Sequence, residues 1–354
     1  MTAMTVKPFA ILEDGRTAEL YTLKNVNGME VTITNFGGTI VSLLAPDRNG
    51  TFADVVLGHA GYEGYRARRH FFGALIGRCC NRIKQGRFTL NGKTYQLAVN
   101  DQGKNHLHGG IEGFDQKLWD DQTVVRDGNQ ALRLTYTSPD GEENYPGTLS
   151  VSAEYLLTDS NALELRYSAV CDADTVCNLT NHSYFNLAGH DSGTVLNHQL
   201  KIYADFFTEA DSESIPTGRV LPVAGTPMDF REFHRVGERM EADYQPLHFG
   251  GGYDHNWVLR KGNGVMGLCA ELYEETSGRH MVCETTLPCV QFYSGNGLDG
   301  TIAGKGGCCY QKHSGLCLET QFAPDSVNHP EWDNPVLKAG QRYESATVYR
   351  FDVK

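Results

Sequence analysis

Turn dipeptides set between short β-rich runs constrain this chain more than any other feature. Phe88-Thr89-Leu90 and Tyr95-Gln96-Leu97 flank Asn91-Gly92. Asn-Gly favours a two-residue hairpin because both turn positions need positive φ. Residues 123–137 repeat the device around Asp127-Gly128. Gly37-Gly38 separates two β-rich runs, at 31–34 and 39–44, and suits a tight turn or bulge. Residues 149–157 place Leu149, Val151, Ala153, Tyr155 and Leu157 at alternate positions, and 163–169 alternate in the same way. That period of two is the mark of a half-buried strand. Further strands are expected at 52–57, 196–207, 256–259, 266–273, 280–286, 290–293, 316–320 and 343–353, with a break at 215–218. Helical patterns are few, at about 62–69 and 231–240.

This pattern predicts an all-β fold, a large antiparallel β-sandwich with few short helices. At ~150 residues per domain, 354 residues would suggest two domains. The chain has no Pro- or Ser-rich linker and no fixed-period repeat. One domain over 1–354 is therefore expected, with residues 1–10 as a loose N-terminal tail. In a sandwich of this kind, side chains on one concave face converge from distant positions. An active site should appear as scattered polar residues on strands and strand ends.

The balance of charge narrows the partners. The net charge is -12, and the longest basic run is Arg66-Ala67-Arg68-Arg69-His70. Nucleic acid and anionic membrane are disfavoured. No apolar run approaches the ~20 residues of a membrane span, and residues 1–10 lack an export pattern. The ten cysteines include the adjacent pairs Cys79-Cys80 and Cys308-Cys309 and show no CxxC spacing. Free thiols used as small core residues, in a cytoplasmic monomer or weak homodimer, are the expectation.

Five stretches stand out from the β background. Glu319 lies in a run, Leu316-Cys317-Leu318-Glu319-Thr320, that otherwise reads as buried strand. A carboxylate there is costly unless paired, which makes it the best single functional candidate. His182 stands in Thr180-Asn181-His182-Ser183-Tyr184-Phe185-Asn186, among small polar residues and aromatics suited to a sugar. A lone histidine of that kind is more often structural. Arg78 and Arg82, four apart and beside Asn81, could supply forked donors to hydroxyls, or ion pairs at the surface. His106-Leu107-His108 could ligate a metal, but no nearby carboxylate or cysteine completes a set. Asp254 follows three glycines and could accept hydrogen bonds from a polyol or close a turn. Gly300 to Gly306 looks like a phosphate loop but is one residue short of GxxxxGK, and Gly306 stands where Ser or Thr is required. Nucleotide binding is rejected.

Taken together, the stretches resemble the galactose mutarotase (aldose 1-epimerase) family. The matching pieces are Gly77-Arg78 with Asn81-Arg82-Ile83, Leu107-His108-Gly109-Gly110 with Gly113-Phe114-Asp115, and Asn181 to Leu187. They continue with Tyr253-Asp254-His255-Asn256, Gln291 to Asn296, and Leu318-Glu319-Thr320-Gln321. The resemblance runs from about Asn35 almost to the C-terminus. It implies the sandwich fold, His182 as acid and Glu319 as base. It also implies Asn81, Arg82, His108, Asp254 and Gln291 as sugar contacts, with Ser183 and Tyr184 beside the acid. The partner is then a monosaccharide. Neither metal nor organic cofactor is implied, because opening a hemiacetal needs only one proton delivered and one removed. The departure is Cys79-Cys80, where Cys80 adds bulk behind Asn81 and Arg82. Two alternatives remain open: a sugar-binding protein without turnover, and a hexose-6-phosphate epimerase, which would want additional Arg or Lys at the pocket.

Overall fold

The computed structural model describes residues 2–67, 70–301 and 303–354. Two large antiparallel sheets dominate it. A nine-stranded sheet runs in the spatial order Asp120–Arg126, Asn129–Ser138, Leu149–Leu157, Ala162–Cys171, Arg342–Val353, Arg279–Thr285, Gly267–Tyr273, Gln199–Ile202 and His234–Arg235. A six-stranded sheet runs in the order Tyr184–Phe185, Leu316–Gln321, Cys289–Tyr293, Asp254–Leu259, Ala204–Ala210 and Pro216–Pro222. The inner faces of the two sheets meet in the core. Tyr349 donates to the Leu318 carbonyl at 3.1 Å, the Thr320 and Thr347 hydroxyls pair at 2.6 Å, and the Phe185 and Tyr349 rings lie 5.0 Å apart. A five-stranded N-terminal sheet, from Ala3–Ile11 to Phe52–Asp54, adds Tyr21, Val31 and Leu43 to the same core.

The turn chemistry placed the hairpins correctly. Strands Arg87–Leu90 and Lys93–Gln96 join through Asn91 and Gly92 at φ 51° and 76°. Asp127 and Gly128, at 49° and 80°, join the first two strands of the large sheet. These are the left-handed conformations a type I′ turn requires.

Four expectations need correction. The described part of the tail expected at 1–10 is not loose, because Ala3–Ile11 pairs with Thr17–Lys24 along its length. Thr2 anchors it, its amide donating to Asn129 Oδ1 and its hydroxyl to the Leu157 carbonyl. The strand was hard to read because most of its side chains are exposed. Residues 231–240 form no helix. The backbone there pairs with the strand Gln199–Ile202 instead, the amide of Val236 donates to the His198 carbonyl, and Gly237 weakens any helix. Residues 215–218 begin the edge strand Pro216–Pro222, where proline costs no ladder bond. The helix expected at 62–69 is the single turn Tyr62–Arg66, and Arg68 and Arg69 lie outside the described residues. A second short helix, Gln245–Gly250, was not anticipated.

All ten cysteines are free, with Cys308 half-buried, Cys309 exposed and the others buried. No helix among the described residues is long and apolar enough to cross a membrane.

Candidate active site

The strand Leu316–Gln321 is buried on both faces. Side chains alternate across a strand. Leu316, Leu318 and Thr320 therefore enter the sandwich core, while Cys317, Glu319 and Gln321 project to the other side. Register carries that polar face across the sheet. Glu319 pairs with Gln291, Gln291 with Asn256, Tyr293 with Asp254, and Cys317 with Tyr184. Cross-strand partners share a face, so residues from four strands gather at one place.

His182 comes just before the edge strand Tyr184–Phe185. Its backbone is clamped to the preceding segment, its amide donating to the Ala74 carbonyl and its carbonyl accepting from Gly73. Its ring lies between Phe71 and Tyr184, at centroid distances of 5.8 and 5.1 Å. A third wall comes from two short strands, Arg82–Ile83 and His106–Leu107. Asn81 and His108 are both left-handed, at φ 58° and 50°, and lock together: the His108 amide donates to the Asn81 carbonyl, and the Asn81 amide donates to His108 Nδ1. Gly109 follows at φ 82°, where a Cβ would lie 1.8 Å from the Gly77 carbonyl oxygen.

These walls enclose a cleft of about 210 Å³. His182, Glu319, Asn81, Arg82, His108, Tyr184 and Asp254 line it, together with His70, Phe71, Leu107 and Tyr293. His182 Nε2 is 3.6 Å from Glu319 Oε2, and that oxygen is buried without a hydrogen-bond partner among the described residues. Burial pushes the Glu319 carboxyl well above its ordinary value, the nearby Asp254 charge adds to this, and Arg82 opposes it. Burial pushes the His182 imidazole down, to about 4. Both shifts follow from the cost of desolvating a charge. Arg82 is turned by Asp101, whose Oδ2 accepts from its Nε at 2.8 Å, and its Nη1 lies 3.8 Å from Asp254 Oδ2.

A family model for aldose 1-epimerase matches residues 19–350 of the sequence. The chain belongs to the aldose 1-epimerase family. Galactose mutarotase from Mus musculus is 45% identical over 354 residues, covering all of both chains. Aldose 1-epimerase from Escherichia coli K12 is 39% identical over 345 residues, 97% of each. A crystal structure of galactose 1-epimerase from Lactobacillus acidophilus superposes with a TM-score of 0.86 at 27% identity, covering 100% of this chain and 99% of that one. As an aldose 1-epimerase the chain is an isomerase, a mutarotase that interconverts sugar anomers.

Two of the expected site residues stand back from this mutarotase cleft. Gln291 lies behind Asp254 and donates to its Oδ1 at 2.7 Å. Ser183 is buried with its hydroxyl unpartnered among the described residues, outside the cleft lining. Arg78 also departs from expectation. It is buried among the carbonyls of Ser138, Pro139, Pro146 and Gly147 and ties these segments together without lining the cleft. Of the unanticipated lining residues, Tyr293 sits inside a motif already singled out, and Phe71 is signalled only by the Phe71-Phe72 pair following the basic run.

His108, His182 and Glu319 offer donor atoms within 4.8 Å of one another, as a cation site would. The Asn81 amide on His108 Nδ1 fixes the neutral tautomer that carries its proton on Nε2. That nitrogen is then a donor, which suits a hydroxyl and not a cation. The phosphate-loop look-alike is also explained: Lys305 turns inward to Asp54 Oδ2 and the carbonyls of Val41 and Val56. Ile302 of that stretch lies outside the described residues.

Proposed function

We propose that the chain interconverts the α and β anomers of free aldohexoses such as galactose and glucose, with His182 as general acid and Glu319 as general base. The observation that supports this most is the unpartnered, buried carboxylate oxygen set 3.6 Å from an imidazole nitrogen at the cleft. Anomer exchange requires the ring to open, the C1–C2 bond to rotate, and the ring to close on the other face of C1. His182 protonates the ring oxygen as Glu319 takes the proton of the C1 hydroxyl. The aldehyde forms, and closure runs the two transfers backwards. Opening leaves a neutral imidazole and a protonated carboxyl, the arrangement that burial favours. The pair holds one proton throughout, so the cycle draws none from solvent. Each positioned transfer contributes ~10²–10⁴-fold.

Around the pair, Asn81, Arg82, His108 and Asp254 are read as hydroxyl contacts, Gln291 as the support of Asp254, and Ser183 and Tyr184 as neighbours of the acid. Arg82 is the one Lys or Arg among the described residues lining the cleft, and it already faces Asp101 and Asp254. That arrangement favours an uncharged sugar over a hexose 6-phosphate. The protein is read as a single-domain, cytoplasmic monomer or weak homodimer that needs no metal or organic cofactor and takes neither nucleic acid nor membrane as partner.

Polarimetry of freshly dissolved α-galactose and α-glucose tests the reading. Relaxation should accelerate in proportion to enzyme. Saturable sugar binding with an unchanged relaxation rate would instead mark a sugar sensor.

A further inference from the structure

We infer that Gln321, which does not line the cleft, is the positioning residue that holds Asn81, and through the Asn81 backbone His108, in the sugar-contacting wall. It sits two residues beyond Glu319 on the same strand face and is fully buried. All of its capacity is used. Nε2 donates to Asn256 Oδ1 at 3.0 Å and to Gln291 Oε1 at 3.3 Å. Oε1 accepts from Asn81 Nδ2 at 3.3 Å and from the Cys80 thiol at 3.7 Å. Two donors and two acceptors are all that a primary amide has.

The chain of bonds has one possible direction. Asp254, as a carboxylate, only accepts, so Gln291 must present Nε2 to it and Oε1 to Gln321. Gln321 must then present Nε2 to Gln291 and Oε1 to Asn81, which leaves Asn81 Oδ1 for the Arg82 amide. Held so by its side chain, Asn81 keeps its left-handed backbone, and its backbone N–H donates to His108 Nδ1. The relay thereby runs from a carboxylate on one wall to the residue whose backbone N–H holds the histidine on the opposite wall. The three amides of the chain, Asn81, Gln291 and Gln321, are all buried, and its Asp254 end reaches the cleft. Cys80, the departure from the family pattern, belongs to the same device as second donor to Gln321.

This inference rests on reading Asp254 and His108 as sugar contacts, and its test separates the two ideas. Gln321→Glu keeps the shape but replaces both donors with acceptors. Gln321→Met keeps the volume and removes the polarity. With folding verified by circular dichroism, polarimetric kinetics on galactose should show KM raised tenfold or more in Gln321→Glu. The kcat should fall less than KM rises, because the acid–base pair itself is untouched. Selective ¹⁵N-histidine labelling, with His108 assigned by its loss in His108→Gln, reads the tautomer without sugar. The wild type should show His108 protonated on Nε2, and Gln321→Met should shift it toward Nδ1. Wild-type KM and kcat in both variants, or an Nδ1-protonated His108 in the wild type, would overturn the inference. Where Gln321→Met does not fold, Gln321→Glu carries both readouts, and wild-type KM with a wild-type tautomer there overturns the inference. A wild type without mutarotase activity but with the tautomer shift in the variant would break the functional reading and leave the relay standing.

Discussion

Two buried glutamates, one on each large sheet, show how the same residue can serve opposite ends. Glu154 is in the nine-stranded sheet, with Arg126 Nε 2.5 Å and Arg133 Nη2 2.9 Å from its carboxylate. Burial alone would raise its carboxyl, but the two guanidiniums more than offset that and hold it below the ordinary range. Glu319 is in the six-stranded sheet, more deeply buried, with one oxygen unpartnered and its carboxyl pushed the other way. The first carboxylate is satisfied and can do nothing further. The second is held at a cost, which fits the base proposed for it. The same contrast separates Arg78, whose two terminal nitrogens are held by main-chain carbonyls, from Arg82, four residues on, which faces two carboxylates at the cleft.

The largest effects should fall on the rate. His182→Gln should lower kcat by ~10²–10⁴-fold, the value of one positioned proton transfer, while Glu154→Gln leaves polarimetric relaxation at the wild-type rate.

Stability should respond to pH next. His198 Nε2 accepts from the Leu187 amide, and His255 Nδ1 accepts from the Asp254 amide. Burial depresses both imidazoles from 6.5 to about 4. Depressed values mean that the unfolded chain binds protons first, so stability is full above pH 6.5 and is lost as pH falls from 6.5 toward 4. Each site contributes up to ~3 kcal/mol. Urea titrations across that window should show the loss, and His198→Gln should reduce it. For Glu319 the sign reverses. Its carboxyl is raised by burial, so the cost of holding it grows as pH rises above the ordinary carboxylate range.

Smaller shifts follow from the two glutamates as structural residues. Glu154→Ala strands two partly exposed arginines and should cost ~1–2 kcal/mol in denaturant unfolding. Glu319→Gln removes an unpaired titratable group and should leave stability equal or raise it by ~1 kcal/mol at pH 7. The smallest effect expected is that of Cys80→Ala. It removes one of two donors to Gln321 Oε1 and a little buried volume, for ~1 kcal/mol.

Much of the sandwich was legible because turn chemistry is local. Asn91-Gly92 and Asp127-Gly128 announced their hairpins, and the alternation of 149–157 matched its strand residue for residue. The exposed strand Ala3–Ile11 and the irregular 231–240 were misread because their structure depends on partners distant in sequence. Glu319 was conspicuous as a charge in an apolar run. Register then did what local pattern could not, bringing Gln291 and Asp254 alongside it. In the sequence Gln321 is only the end of a motif, since its importance lies in four contacts spread over 241 residues of chain. Arg78 and Arg82 are indistinguishable by type and spacing, and only their partners in the fold separate them.

The most direct test compares the two buried glutamates in one experiment. Polarimetric relaxation of α-galactose should be slowed by ~10²–10⁴-fold in Glu319→Gln relative to wild type, with Glu154→Gln as an active control. Wild-type relaxation in folded Glu319→Gln would contradict the assignment of Glu319 as the base.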